Sequence, residues 1–199
     1  DSSTSRGLGD VYKRQGYSLI DLTDIFITHC HSDHILEFGA LLHTAWTAGL
    51  DRPVLVFGPP EIAAIWRQFC EMMRFDITIR MADEGRVPFA AIAQINIIDA
   101  KTPDPIRLVD ENGLIVSAMR NDHPPVVDSY ALRFDADVKS VTFSGDTRYL
   151  PSLAVFAKNT DVLVHEAMLA KGLDYVLAKT KTGDDRLKNH LLAAHSFAE

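Results

Sequence analysis

Short apolar runs separated by turn-forming and charged positions set the frame of this chain. Leu19, Ile20 and Leu22 lead into Ile25-Phe26-Ile27-Thr28, which reads as a strand. Ile35 to Ala48 predicts a helix, with Leu36, Ala40, Leu41 and Trp46 among its apolar positions. The continuous run Pro53 to Phe57, closed by Gly58-Pro59-Pro60, reads as a buried strand and a turn. Glu61 to about Arg74 predicts a second helix, in which Ile62, Ile65, Trp66, Phe69 and Met73 form a core stripe. Phe75 to Ile79 alternates apolar and polar residues and predicts a short strand.

Strands follow at Ile92 to Ile98 and Ile106 to Val109, and Asn112-Gly113 is a hairpin signal before Leu114 to Met119. Ser129 to Phe134, Lys139 to Phe143 and Asp161 to Val164 complete the predicted strands, with helices at Leu153 to Lys158 and Asp184 to Ala194. Alternating elements first and hairpin-like strands later predict an α/β layered fold in a single domain.

The chemistry concentrates in His29-Cys30-His31-Ser32-Asp33-His34, directly after the first strand. An extended chain sends alternate side chains to one face, so His29, His31 and Asp33 project together and His34 turns toward a second point. Imidazole nitrogens and carboxylates are the ligands zinc accepts, and iron or manganese can use the same set. Further candidates close later strands: His123, held by Pro124-Pro125; Asp146, just after Gly145, where the backbone allows close approach to an ion; and His165-Glu166. His195-Ser196 follows the last helix. Cys30, of opposite parity to its neighbours, reads as a small buried residue; His43 and His190 read as ordinary helical residues, the latter at the surface.

Composition narrows the classes. With 199 residues and 47% apolar content the chain can bury a substantial core. A net charge of −7 disfavours a broad phosphate-binding surface and so disfavours RNA, while leaving room for a local patch. Two cysteines make no disulfide framework, which points to a reducing, cytoplasmic compartment. No apolar run approaches the roughly 20 residues of a membrane span. Residues 1–15 lack periodicity and read as a non-native or disordered leader, leaving 16–199 as the domain. Trp46 and Leu50 are candidates for a pocket or for the face of a homodimer.

Taken together, Thr28-His29-x-His31-x-Asp33-His34, His123, Ser144-Gly145-Asp146-Thr147 and His165-Glu166-Ala167 resemble the metallo-β-lactamase superfamily. The likeness is to the branch with ribonuclease Z and the zinc-dependent arylsulfatases, and it runs from about Tyr17 to Glu199. It implies an αββα four-layer sandwich, incomplete here at both termini, with two zinc ions. By that resemblance His29, His31 and His123 hold the first ion, Asp33 and His34 the second, and Asp146 bridges them. Glu166 matches a residue that orients a proton-donating histidine, a role that His195 fits, and Asp33 can accept a proton from the attacking water.

The implied activity is hydrolysis of a phosphodiester or sulfate ester, with a small-molecule ester as substrate. Bacterial ribonuclease Z carries a protruding tRNA-gripping arm between the residues matching His123 and Asp146. Only 22 residues intervene here, and two predicted strands use most of them, so tRNA 3′ processing is the alternative. A thioesterase, a lactone- or lactam-opening enzyme and a zinc-binding domain without turnover are further alternatives.

Overall fold

The computed structural model describes residues 16–102, 104–179 and 185–198. The leader expected at 1–15 and the predicted helix start at Asp184 lie outside the described residues. Packing divides the chain into two compact units, one ending at Ile97 and the other beginning at Ile98. Among the described residues no helix is long and apolar enough to cross a membrane.

The first unit is built on a parallel sheet of order β1-β2-β3, with β1 at Asp24–Phe26, β2 at Val54–Gly58 and β3 at Ala93–Ile97. Helices α1 (Ser32–Thr47), α2 (Ile62–Met72) and α3 (Arg74–Glu84) lie in the connections. The apolar run of β2 is almost wholly buried, as expected for a central parallel strand covered on both faces. Phe38, Leu42, Trp46, Val54, Ile62, Trp66 and Phe89 form one core cluster. Each tryptophan ring satisfies its N–H on a backbone carbonyl: Trp46 donates to Val87 at 3.0 Å and Trp66 to Ala90 at 3.2 Å. Trp46 and Leu50, candidates for a pocket or dimer face, are 1% and 2% exposed and belong to this core.

The strand expected at Phe75 to Ile79 is instead part of α3. Its Phe-Asp-Ile-Thr-Ile alternation mimics a strand, but Arg80 bonds back to Asp76 and forward to Glu84, both at 2.9 Å and four residues away. Gly85 then ends the helix in the left-handed conformation at φ 65°.

Gly39 sets how closely α1 and α2 approach. A Cβ built there would lie 2.3 Å from Cδ2 of Phe69 and 2.4 Å from its Cγ, inside van der Waals contact with a packed ring. Gly39→Ala is therefore expected to destabilise the protein by about 1–3 kcal/mol, against the roughly 0.5–1 kcal/mol that alanine would gain from helix propensity. Chemical denaturation checks this: a midpoint equal to or above that of the wild type would show that Phe69 yields.

The second unit is a five-stranded sheet of order β4-β5-β6-β7-β8, antiparallel except for the β7–β8 pair. Its strands are β4 (Ile106–Glu111), β5 (Leu114–Arg120), β6 (Tyr130–Ala136), β7 (Ser140–Phe143) and β8 (Val162–Val164). At the β4–β5 turn Asn112 and Gly113 both have positive φ, 52° and 77°, which suits the twist of a two-residue hairpin. Met119, Ala131, Leu153 and Phe156 pack together, the last two from α4 (Pro151–Phe156). Tyr130 is fully buried and donates to the Ile98 carbonyl at 2.8 Å. Burial, and then the nearby Asp128 charge, push its phenol well above its ordinary value.

Beyond β8 the chain forms β9 (Met168–Leu169), α5 (Ala170–Lys179), α6 (Asp185–Ala194) and β10 (Phe197–Ala198). The two short strands β9 and β10 pair in parallel, and this pairing brings the end of α6 back beside the Glu166 turn.

Candidate metal centre

In the first unit the histidine cluster is not an extended strand end. Strand β1 stops at Phe26, His29 to His31 form a loop, and Ser32, Asp33 and His34 make the first turn of α1. The alternation expected from His29 to Asp33 is therefore absent, and convergence comes from the loop bending into the helix. The His34 amide donates to the His31 carbonyl at 3.0 Å to close that bend.

His29 is fully buried, and its Nε2 lies 3.2 Å from Nδ1 of His31. Two nitrogens bound to one tetrahedral ion at about 2.05 Å each would be about 3.3 Å apart, so this pair fits a shared ion. The Thr28 hydroxyl lies 3.1 Å from Nδ1 of His29 and orients the ring. The His34 ring lies tilted by 46° against that of His29 with ring centres 4.1 Å apart, and its Nε2 lies 3.4 Å from Oδ2 of Asp33. That spacing too suits two ligands of one ion. A depression of about 580 Å³ beside this turn has an apolar wall of Ile25, Phe26 and Leu41 and a polar one of Ser32, Asp33 and His34. Cys30, between the two histidines, is half-buried.

In the second unit β5 ends at Arg120 and delivers His123, which is 1% exposed. Its Nδ1 donates to the Ala194 carbonyl at 2.9 Å, which leaves the lone pair on Nε2 and fixes the ring's orientation. Asp146 follows Gly145, whose φ of 60° turns the chain sharply after β7.

Glu166 collects three groups at one carboxylate oxygen. Oε1 accepts the amide N–H of Thr147 at 3.1 Å and that of Ser196 at 3.0 Å, and lies 3.3 Å from Nδ1 of His195. The His195 ring meets that of His123 at 5.0 Å, edge to face. The Ser196 hydroxyl donates to the Thr147 carbonyl at 2.8 Å, tying the α6–β10 corner to the Asp146 turn. This unit thus brings His123, Glu166 and His195 together, as the first unit does His29, His31, Asp33 and His34.

Two features escaped the sequence. His190, expected at the surface, is half-buried on α6 with its ring 6.4 Å from that of His195. The backbone partners of Glu166 and His123 carry no side-chain signal, so only the fold could reveal them.

The family model of the anti-Pycsar protein Apyc1 matches residues 7–196. The chain belongs to that family. It is a metallo-β-lactamase superfamily member of the ribonuclease Z branch, and the expected α/β metallo-β-lactamase fold is confirmed. This family member is 30% identical over 161 residues to ribonuclease Z of Mycobacterium bovis (strain BCG / Pasteur 1173P2), a match covering 75% of the chain and 53% of the relative. It is 29% identical over 161 residues to ribonuclease Z of Mycobacterium marinum, with the same coverage. The chain thus spans about half the length of the curated relatives it matches.

Two solved structures share the fold. The metallo-β-lactamase fold protein YhfI from Bacillus subtilis has a TM-score of 0.59 at 19% identity, over 96% of this chain and 63% of that one. The short form of human tRNase Z has a TM-score of 0.56 at 18% identity, over 94% and 77%.

Proposed function

We propose that the chain is the metal-binding part of a phosphodiesterase in which His29, His31 and His123 would hold one zinc, Asp33 and His34 a second, and Asp146 would serve both. The donor set supports the reading: the His29–His31 and His34–Asp33 spacings fit ligands of one ion, and the Ala194 carbonyl presets the His123 tautomer. Manganese or iron would accept the same ligands. Metal bound there would supply Lewis acidity and lower the pKa of the attacking water.

The residues of the chain do the rest. Asp33 accepts the proton of the attacking water. His195, held through Nδ1 by Glu166, donates a proton from Nε2 to the departing oxygen. The observation that carries this role is the Glu166 carboxylate, pinned by two backbone N–H groups and facing the imidazole.

For the substrate, relatives named ribonuclease Z support RNA, the tRNA 3′-processing alternative, better than a sulfate ester. One observation favours a second reading, a small or exposed phosphodiester. Between His123 and Asp146 the chain holds only a short loop, β6, a tight turn and β7, so no tRNA-gripping arm extends there.

The test is turnover by the zinc-loaded protein of a precursor tRNA with a 3′ trailer, bis(p-nitrophenyl) phosphate and p-nitrophenyl sulfate. Cleavage of phosphodiesters, abolished by a chelator, is the expected result. A single cut at the trailer would select the RNA reading, and cleavage of the aryl diester alone the second reading. Turnover of the sulfate alone would overturn both, and a zinc-loaded protein inert toward all three would revive the non-catalytic zinc domain.

A further inference from the structure

Asn121 stands just past the end of β5, two residues before His123, and is 7% exposed. Its Nδ2 donates to the Ser144 carbonyl at 2.8 Å, and Ser144, itself buried, stands two residues before Asp146. A carbonyl can only accept, so the carboxamide turns its NH2 that way and its oxygen elsewhere. That oxygen, Oδ1, is buried and meets no donor among the described residues. A buried acceptor without a partner lowers stability, so Asn121 is kept against the interest of the fold.

The bond spans a gap that the sheet leaves open. Strands β5 and β7 both pair with β6 and not with each other. At a strand spacing of about 4.8 Å they lie about 10 Å apart. Their ends are joined by the ladder only through β6, and β6 gives way here to the loop over 121–129, which the Asn121 amide closes on the Ser129 carbonyl at 3.0 Å. The Asn121 side chain crosses directly from one strand end to the other. Outside it runs an exposed tie, in which the Arg148 amide donates to the Asp122 carbonyl at 2.9 Å and Arg148 Nε to Oδ2 of Asp122 at 2.7 Å. Ser144 carries the inner tie further, since its Oγ accepts the Glu166 amide at 3.1 Å. One buried carboxamide thus joins the turns that carry His123, Asp146 and Glu166.

We propose that Asn121 is a positioning residue for the metal centre, fixing through Ser144 the separation at which His123 and Asp146 are presented. The inference rests on the ligand roles proposed for those two residues. Ligands already held at the required separation lose less freedom when an ion arrives, so the tie acts on metal affinity. Groups that orient metal ligands typically change affinity or activity by about 10–100-fold.

Zinc affinity of the whole chain, measured by competition with a chromogenic chelator, tests this beside the melting temperature and turnover of bis(p-nitrophenyl) phosphate. Asn121→Leu, of similar size, should weaken zinc binding about 10–100-fold. Its melting temperature should stay near that of the wild type, because the variant removes the unmet acceptor at Oδ1 as it leaves another at the Ser144 carbonyl. Excess zinc should restore kcat, with KM unchanged. Asn121→Ala should show the same dependence on zinc, and it stands in for the leucine variant if the branched side chain prevents folding.

Folded variants with the affinity of the wild type would overturn the role of Asn121. So would a loss of turnover that excess zinc leaves in place, or two variants that fail to fold, since either marks a purely structural residue. A wild type that binds no zinc would overturn the ligand assignment itself and this inference with it, so the wild type alone separates the two failures.

Discussion

Asp146→Ala is expected to lower the zinc retained after loading and to cut phosphodiester turnover by roughly 10²–10⁴-fold. The magnitude follows from the chemistry proposed for the site. A carboxylate that would hold the metal ions would contribute several kcal/mol of charge stabilisation, and its loss costs about a decade of rate per 1.4 kcal/mol. The turn at this point is shaped by Gly145 and tied by the Ser196 hydroxyl to the Thr147 carbonyl, so the variant should keep its fold. Metal content by mass spectrometry, measured beside the melting temperature, separates loss of a ligand from loss of the fold. A folded variant with wild-type zinc would remove Asp146 from the ligand set.

His195→Ala should cost about 10²–10⁴-fold in kcat for a substrate with an alkoxide leaving group, the usual range for removing a general acid. It should cost far less with p-nitrophenolate, which departs without a proton. Metal content should stay at the wild-type level. Glu166→Gln should repeat the pattern in weaker form. Its amide oxygen still accepts the Thr147 and Ser196 N–H groups, while the negative charge facing Nδ1 of His195 is gone. Equal losses for the two leaving groups would show that His195 shapes the site without passing a proton.

Much of this was legible in the chain because buried parallel strands and hairpin turns write local signals. The run at β2 and the Asn112-Gly113 turn needed no tertiary information. Phe75 to Ile79 misled because five residues of period-two pattern weigh less than the charge pairs joining Asp76, Arg80 and Glu84 along a helix. The histidine cluster was evident as chemistry, but its geometry was not. Parity applies only to an extended chain, and β1 ends before His29. Trp46 and Leu50 gave no sign of burial, since an apolar residue on a helix, or just past its end as Leu50 is, reads alike whether it faces core or solvent. The pairing of β9 with β10 joins residues about thirty positions apart through two-residue strands, and nothing local encodes that. The setting of His195 was hidden for the same reason.

The tight turn between β6 and β7 bears on how such a scaffold changes clientele. There the Ala136 amide closes on the Lys139 carbonyl at 2.9 Å, and Val138 projects into solvent. Lengthening a surface turn costs only about 0.6 kcal/mol of closure entropy per doubling, and exposed tips absorb insertions with little disturbance to the strands beneath them. His123 lies upstream of β6 and Asp146 downstream of β7. A protruding graft at Val138 would therefore add reach toward a bulky polymer while sparing the strands that lead from one residue to the other, so breadth of substrate and chemistry of cleavage can evolve on separate parts of one hairpin.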